Sequence, residues 1–121
     1  MNNFNLNKKV VLITGGGGFL AKYFAEIIIT YDGIPVLIDL NYQGLLANKK
    51  YLENKFSINV TTYKCDLCKE NEVSLLFKKI NKNFKTIEVL INNAAPNPTI
   101  SKISNSNNAL EEFKIGNWKN D

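Results

Sequence analysis

The stretch Val10-Val11-Leu12-Ile13-Thr14-Gly15-Gly16-Gly17-Gly18-Phe19-Leu20-Ala21 decides the fold. Its four leading apolar residues lie between two lysines and a glycine run, which predicts a short buried strand. Apolar residues then recur at helical spacing through Ile28. This spacing predicts a helix that begins directly after the glycine loop (residues 15–18) and stops at Asp32-Gly33, with Gly33 as its C-terminal cap.

The rest of the chain repeats this alternation of strand and helix. The predicted strands after the first are residues 36–38, 58–63 and 87–91, and the predicted helices are 43–56 and 69–83. Residues 96–108 are rich in Pro, Ser and Asn and predict a loop, and a short helix is expected from Ala109 to Trp118. The alternation indicates an α/β fold, a Rossmann-like doubly wound parallel sheet with strand order 3-2-1-4.

Length, charge and residue content exclude several classes of protein. The 121 residues predict a single domain, residues 1–121. Fifteen lysines and no arginine give the net charge of +4, and the lysines are scattered, so nucleic-acid binding is not favoured. The absence of His excludes a Ser-His-Asp triad and His-ligated metal sites. With a polar N-terminus and no apolar run long enough for a membrane span, a cytoplasmic protein is expected, with no membrane partner.

The glycine loop has the chemistry of a phosphate site. In the spacing Gly15-x-x-Gly18-x-x-Ala21, the first Gly permits a tight turn, the second lets backbone approach a pyrophosphate, and Ala21 is small enough for helix–strand packing. The helix N-terminus supplies N–H groups and a positive dipole to phosphates. Asp39 closes the second strand, 24 positions after Gly15, where a carboxylate accepts hydrogen bonds from ribose hydroxyls. The alternative is a glycine-rich turn without a ligand.

Asp39 also bears on the choice between the two nicotinamide dinucleotides. A carboxylate at this position repels a 2′-phosphate, whereas a site for NADP usually provides a cation. Leu40 and Asn41 follow Asp39, so no basic residue comes directly after it. The sequence therefore predicts NAD as the cofactor, with NADP as the less favoured alternative.

Together with Asn92-Asn93-Ala94-Ala95 after the fourth strand, these motifs resemble the short-chain dehydrogenase/reductase family, from about Lys8 to Trp118. Ala95 departs from the family's Asn-Asn-Ala-Gly. The resemblance implies an NAD(P)-binding half of an oxidoreductase acting on carbonyl/alcohol pairs. It implies pyrophosphate and ribose contacts at the glycine loop, an adenosine ribose at the second strand, adenine after the third strand and a second ribose after the fourth. The predicted cofactor-binding residues are Gly15, Gly17, Gly18, Phe19, Leu20, Asp39, Asn41, Asp66, Leu67, Asn92, Ala94 and Ala95.

The family's catalytic residues are expected beyond this sequence. The resemblance implies a Ser and a Tyr-x-x-x-Lys on a fifth strand and the helix after it, so no catalytic residue is assigned here. Tyr51-Leu52-Glu53-Asn54-Lys55 matches the second motif, but it lies in the helix after the second strand, near the adenosine end, and is interpreted as a chance match.

Cys65-Asp66-Leu67-Cys68 has the spacing of a redox dithiol, although two reduced thiols are the simpler interpretation. A zinc site is not expected, because a second Cys pair or a His is lacking.

Two hypotheses about function follow. In the first, the chain is the truncated N-terminal portion of an NAD-dependent oxidoreductase and is inactive alone. In the second, it is a stand-alone, non-catalytic module that binds a dinucleotide or pairs with another chain. The fourth strand would be a bare apolar edge, so a second chain completing the sheet, or a homo-oligomer, is a candidate partner.

Overall fold

A computed structural model describes residues 4–94 of the chain. Four strands alternate with three helices: β1 (Val10–Thr14), α1 (Phe19–Thr30), β2 (Ile34–Asp39), α2 (Tyr42–Phe56), β3 (Thr61–Lys64), α3 (Glu70–Asn83) and β4 (Val89–Ile91). The strands form one parallel sheet in the order β3-β2-β1-β4, which confirms the predicted fold class and strand order. The loop and helix expected over residues 96–118 lie outside the described residues.

Different helices cover the two faces of the sheet, and the side chains of β1 alternate between these two faces. Val11 and Ile13 pack with the buried faces of α1 and α2, for instance against Ala25 and Leu45. Val10 and Leu12 point to the opposite face and pack with residues of α3 such as Ile80. All of β1 is buried, as expected for a central strand covered on both sides. This arrangement places the C-terminal end of β1 in the middle of the sheet.

The end of α1 differs from the prediction. The left-handed residue is Asp32 (φ +63°), not Gly33. The Gly33 N–H donates to Ile28 O at 2.7 Å and the Asp32 N–H to Ile29 O at 3.0 Å, the two bonds of a Schellman motif. Gly33 is needed for close packing instead, since a Cβ there would lie 2.7 Å from the side chains of Ile28 and Leu6.

The third and fourth strands begin later than predicted, and near both starts a glutamate side chain accepts a backbone N–H. The Val60 N–H donates to Glu53 Oε2 at 2.8 Å, and Val60 O accepts from Lys49 Nζ, which ties the residue before β3 to α2. The β2–β3 register begins at Val36 and Thr61. The Val10 N–H donates to Glu88 Oε2 at 2.7 Å and the Glu88 N–H donates to Val10 O at 3.2 Å. The regular β1–β4 register begins one residue later, at Val11 and Val89.

Candidate functional site

The strand order creates a crevice at the C-terminal edge of the sheet. From β1 the chain proceeds to β2 and β3 on one side, whereas β4 lies on the other side. Open α/β sheets bind ligands at such a switch point. Thr14 and Asp39 end the two central strands, and Asn92 follows β4. The structure thus brings the glycine loop, Asp39 and the Asn92 segment to one edge, as the sequence indicated.

The glycine loop makes its tight turn at Gly15, whose φ of +65° is unfavourable for other residues. A Cβ at Gly15 would lie 3.1 Å from the Ala94 backbone, so the loop also lies against the segment after β4. The Gly16 N–H donates to Ile38 O at 2.8 Å, and the Gly18 N–H donates to Gly15 O at 3.0 Å. These contacts within the protein define the shape of the turn.

The N-terminus of α1 is open to an anion. Gly18 is the N-cap and carries no side-chain capping bond, and the first turn contains no acidic residue. The first N–H groups of a helix lack partners within the helix, and the helix dipole makes them attractive to phosphate. Phe19 is 73% exposed and Leu20 is also exposed, so both predicted contact residues lie at an accessible helix end. Such a helix end can accept a phosphate group.

Asp39 is tied to the glycine loop by its carboxylate. Asp39 Oδ2 accepts from the Gly17 N–H and Oδ1 accepts from the Asn41 N–H, both at 2.9 Å. Asp39 as a whole is half-buried. Asn41, a predicted contact residue, has a structural role: its Oδ1 accepts from the Gly44 N–H at 3.1 Å and caps α2. The predicted ribose acceptor and the predicted phosphate loop therefore form one hydrogen-bonded unit.

The segment after β3 borders the same edge. The Cys65 N–H donates to Asp39 O at 3.0 Å, and Asp66 Oδ1 accepts from the Cys68 N–H at 3.0 Å. Leu67 is partly buried against the apolar cluster that contains Leu76. Asp66 and Leu67 thus lie in the connection from β3 to α3, beside the end of β2 at Asp39. The resemblance implied adenine at this position.

Thr14 organises the segment after β4, a role that the sequence did not reveal. Its Oγ1 accepts from the N–H groups of Asn93 and Ala94, each at 3.0 Å, and lies 3.2 Å from Asn92 Oδ1. Thr14 is buried, so these bonds are shielded from water. Asn92 and Ala94 are placed at the crevice by this hydroxyl, whereas Ala95 lies outside the described residues.

Asn48 is a second residue that sequence reasoning missed. It lies on the buried face of α2 with Leu45 and Leu52, and its amide contacts the glycine loop. Its position in the sequence could have revealed it. Asn48 lies between Leu45 and Leu52 at helical spacing, where an apolar residue is expected on the buried face.

The Tyr51-x-x-x-Lys55 match lies away from the crevice on the α1–α2 surface. Lys55 Nζ pairs with Glu26 Oε1 at 3.3 Å. A hydrogen bond to the Glu26 carboxylate raises the pKa of the Tyr51 phenol, with desolvation adding to the effect. A general acid/base tyrosine needs the opposite shift toward neutral pH. These contacts favour the interpretation as a chance match.

The two cysteines differ in their surroundings. Cys65 is buried and Cys68 is exposed. Burial raises the pKa of the Cys65 thiol, and the charges of Glu72 and Asp66 raise it further. A reactive thiol requires a lowered pKa, so the environment of Cys65 does not favour the redox interpretation.

Residues 4–94 include no helix that is both long and apolar enough to cross a membrane. The same residues hold no cluster of three or more Cys, Asp or Glu side chains suited to a metal ion.

Comparison with known proteins gives matches along most of the chain. The 15-hydroxyprostaglandin dehydrogenase (NAD(+)) of Mus musculus is 29% identical over 94 residues, which are 77% of this chain and 35% of that protein. The structure of NAD+-bound xylitol dehydrogenase superimposes with a TM-score of 0.69 at 27% identity, covering 78% of this chain and 35% of the other.

L-sorbose reductase from Gluconobacter frateurii, solved with NADPH and L-sorbose, superimposes with a TM-score of 0.75. The identity is 21%, with 98% of this chain and 42% of the reductase covered, so this likeness concerns the fold alone. The chain spans about a third of the length of the curated relative named above. A family model described as short chain dehydrogenase matches residues 9–120. The chain belongs to the short-chain dehydrogenase family.

Proposed function

We propose that this chain is the dinucleotide-binding N-terminal portion of an oxidoreductase that interconverts a carbonyl and an alcohol. In this proposal residues 1–121 form one incomplete NAD(P)-binding domain, which binds the dinucleotide but does not turn over substrate alone. The observation that carries the proposal is the bond from the Gly17 N–H to Asp39 Oδ2 beside the uncapped N-terminus of α1. It unites a ribose acceptor and a phosphate site in one crevice. We also infer a cytoplasmic location, which cell fractionation would test.

Each part of the dinucleotide has proposed contacts in the crevice. The pyrophosphate lies over the glycine loop and the first turn of α1, and the adenosine ribose lies at Asp39. The adenine lies at the β3 connection, and the second ribose lies after β4. The proposed contact residues are Gly15, Gly17, Gly18, Phe19, Leu20, Asp39, Asn41, Asp66, Leu67, Asn92, Ala94 and Ala95. When bound, the nicotinamide ring would supply hydride transfer.

The proposal favours NAD over NADP. The Asp39 carboxylate already accepts two backbone N–H groups, and a 2′-phosphate placed on the ribose would meet its negative charge. The prostaglandin and xylitol dehydrogenases named above are described with NAD, whereas the reductase that shares the fold was solved with NADPH, so the charge at Asp39 is the argument for NAD.

A titration of the full chain with NAD and NADP tests this function, using calorimetry and thermal shift. We expect NAD to bind more tightly than NADP. Asp39→Asn should reduce that preference for NAD about tenfold, because the repulsion of a 2′-phosphate is lost. Asp32→Asn is the matched control, since it removes the same charge. Asp32 precedes β2 and therefore lies at the N-terminal ends of the strands, away from the crevice. The absence of heat and of thermal shift at millimolar NAD would overturn the proposal.

A second candidate function is pairing with another chain through β4, an outer strand of the sheet. Leu90 of β4 is 59% exposed and Val89 is 38% exposed, although both lie in a strand of a parallel sheet. Parallel strands are normally buried on both faces. Sedimentation of the wild type against Leu90→Lys tests the pairing. A wild-type assembly that the lysine dissociates would support it, and two monomeric proteins would contradict it.

A further inference from the structure

Asn48 and Thr14 are the buried polar residues of the part of the chain that the structure describes. Asn48 is 9% exposed, and its Nδ2 donates to Gly16 O at 2.8 Å and to Gly18 O at 3.0 Å. Both N–H bonds of the amide are therefore used on backbone carbonyls of the glycine loop. The contact spans 32 and 30 positions of sequence, so it is a tertiary contact between α2 and the loop.

These two bonds set the orientation of the peptide groups that follow the carbonyls. In a planar trans peptide the C=O and the next N–H point in opposite directions. With Gly16 O held toward Asn48, the Gly17 N–H points away from Asn48, and it meets Asp39 Oδ2 at 2.9 Å. With Gly18 O held in the same way, the N–H of Phe19 also points away from Asn48. That N–H is one of the groups that the uncapped helix presents to a phosphate.

The position of Asn48 itself is fixed by packing. Leu45 and Leu52 anchor α2 in the apolar cluster, and both are fully buried. Gly44, one turn before Asn48, permits the close approach, since a Cβ there would lie 2.5 Å from Gly17 O. The amide is therefore held at the loop by a rigid helix, and it has little freedom to choose other partners.

We propose that Asn48 is a positioning residue for the dinucleotide: it holds the glycine loop in the form that presents N–H groups to the pyrophosphate. The inference rests on the proposed function and extends it to a residue of α2 that does not itself touch the ligand. Asn48 should therefore affect the binding of ligands with a pyrophosphate much more than the binding of adenosine, which lacks one.

The test compares Asn48→Asp and Asn48→Ala with wild type by NMR titration of NAD and of adenosine. Asp has the size of Asn but places acceptors against two carbonyl oxygens, and Ala removes the donors without adding charge. Asn54→Asp, at an exposed position of α2, is the matched control. We expect a loss of NAD affinity of about tenfold or more for Asn48→Asp, with adenosine affinity within about twofold of wild type. Asn48→Ala should show the same pattern if Asn48→Asp does not fold.

Two outcomes of the titrations contradict the positioning role of Asn48. An equal loss for both ligands, or no loss for either, would overturn the positioning role. If wild type bound no NAD, the proposed function would fail, and the role of Asn48 in the loop would be decided by amide exchange without ligand. In that measurement, faster exchange of the Gly17 and Gly18 amides in Asn48→Ala than in Asn54→Asp supports the loop-holding role, and equal exchange contradicts it.

Discussion

Gly44 in the first turn of α2 lies directly against Gly17 of the glycine loop: a Cβ on Gly44 would stand 2.5 Å from the Gly17 carbonyl oxygen. The contact is mutual, since a Cβ on Gly17 would stand 2.9 Å from the Leu45 nitrogen. Glycine is a poor helix former, costing about 1 kcal/mol relative to alanine. The close approach of two backbones explains why the helix carries a glycine here.

We expect Gly44→Ala to destabilise the protein by about 1–3 kcal/mol, because overpacking against backbone outweighs the gain in helix propensity. Urea denaturation measures the free energy of unfolding. Ala47→Gly, at an exposed position of the same helix, is the control and should cost about 1 kcal/mol from propensity alone. If Gly44→Ala stabilised the protein, the close contact between α2 and the loop would be wrong.

We expect Thr14→Val to cost about 1–3 kcal/mol, because it keeps the shape of the side chain but leaves the N–H groups of Asn93 and Ala94 without their acceptor. Thr14→Ser retains the hydroxyl and should cost less. Chemical denaturation of both variants gives the comparison. A valine variant as stable as the serine variant would show that the hydroxyl does not hold the segment after β4.

The parts of the fold that follow from local patterns were predictable. The strand at Val10, the glycine turn and the position of Asp39 at the end of β2 all follow from apolar runs and their spacing. The strand order, which came from the usual order of such folds and not from a local pattern, is confirmed as well. The predicted contacts of individual residues with the dinucleotide remain predictions. Sequence patterns succeed here because each depends on neighbours within a few positions.

The parts that were not predictable depend on backbone groups distant in sequence. Asn48 and Thr14 bond to carbonyl and N–H groups 30 to 80 positions away, and these groups are identical in every residue. Likewise, the Glu53 side chain accepts from the backbone N–H of Val60, just before β3. At the end of α1 the left-handed residue is Asp32 and not Gly33, which the local pattern did not indicate because both residue types tolerate this conformation.

We expect the Tyr51 phenol to ionise above its ordinary value of 10.0, because its hydrogen bond to Glu26 stabilises the neutral form. The difference in ultraviolet absorbance between wild type and Tyr51→Phe during alkaline titration isolates this group. Glu26→Gln should move the transition to lower pH, since the negative partner is removed. Tyr51→Phe should leave NAD affinity unchanged. A Tyr51 transition below 10.0 would argue that the Tyr-x-x-x-Lys match has chemical significance after all.

Glu88 should make the stability of the protein depend on pH in the acid range. Its carboxylate accepts from Thr86 Oγ1 at 2.7 Å and from the Val10 N–H at 2.7 Å, and these bonds lower the pKa of Glu88 below 4.5. A carboxyl whose pKa is lowered by folding stabilises the native state fully above its unfolded pKa and loses that contribution as pH falls through the lower folded pKa.

Glu88→Gln imitates the protonated acid. Wild type should therefore melt at a higher temperature than Glu88→Gln at neutral pH, and the two should converge as the pH falls below 4.5 and through the lower folded pKa. A difference in melting temperature that stayed constant down to acid pH would show that Glu88 does not gain its hydrogen bonds on folding.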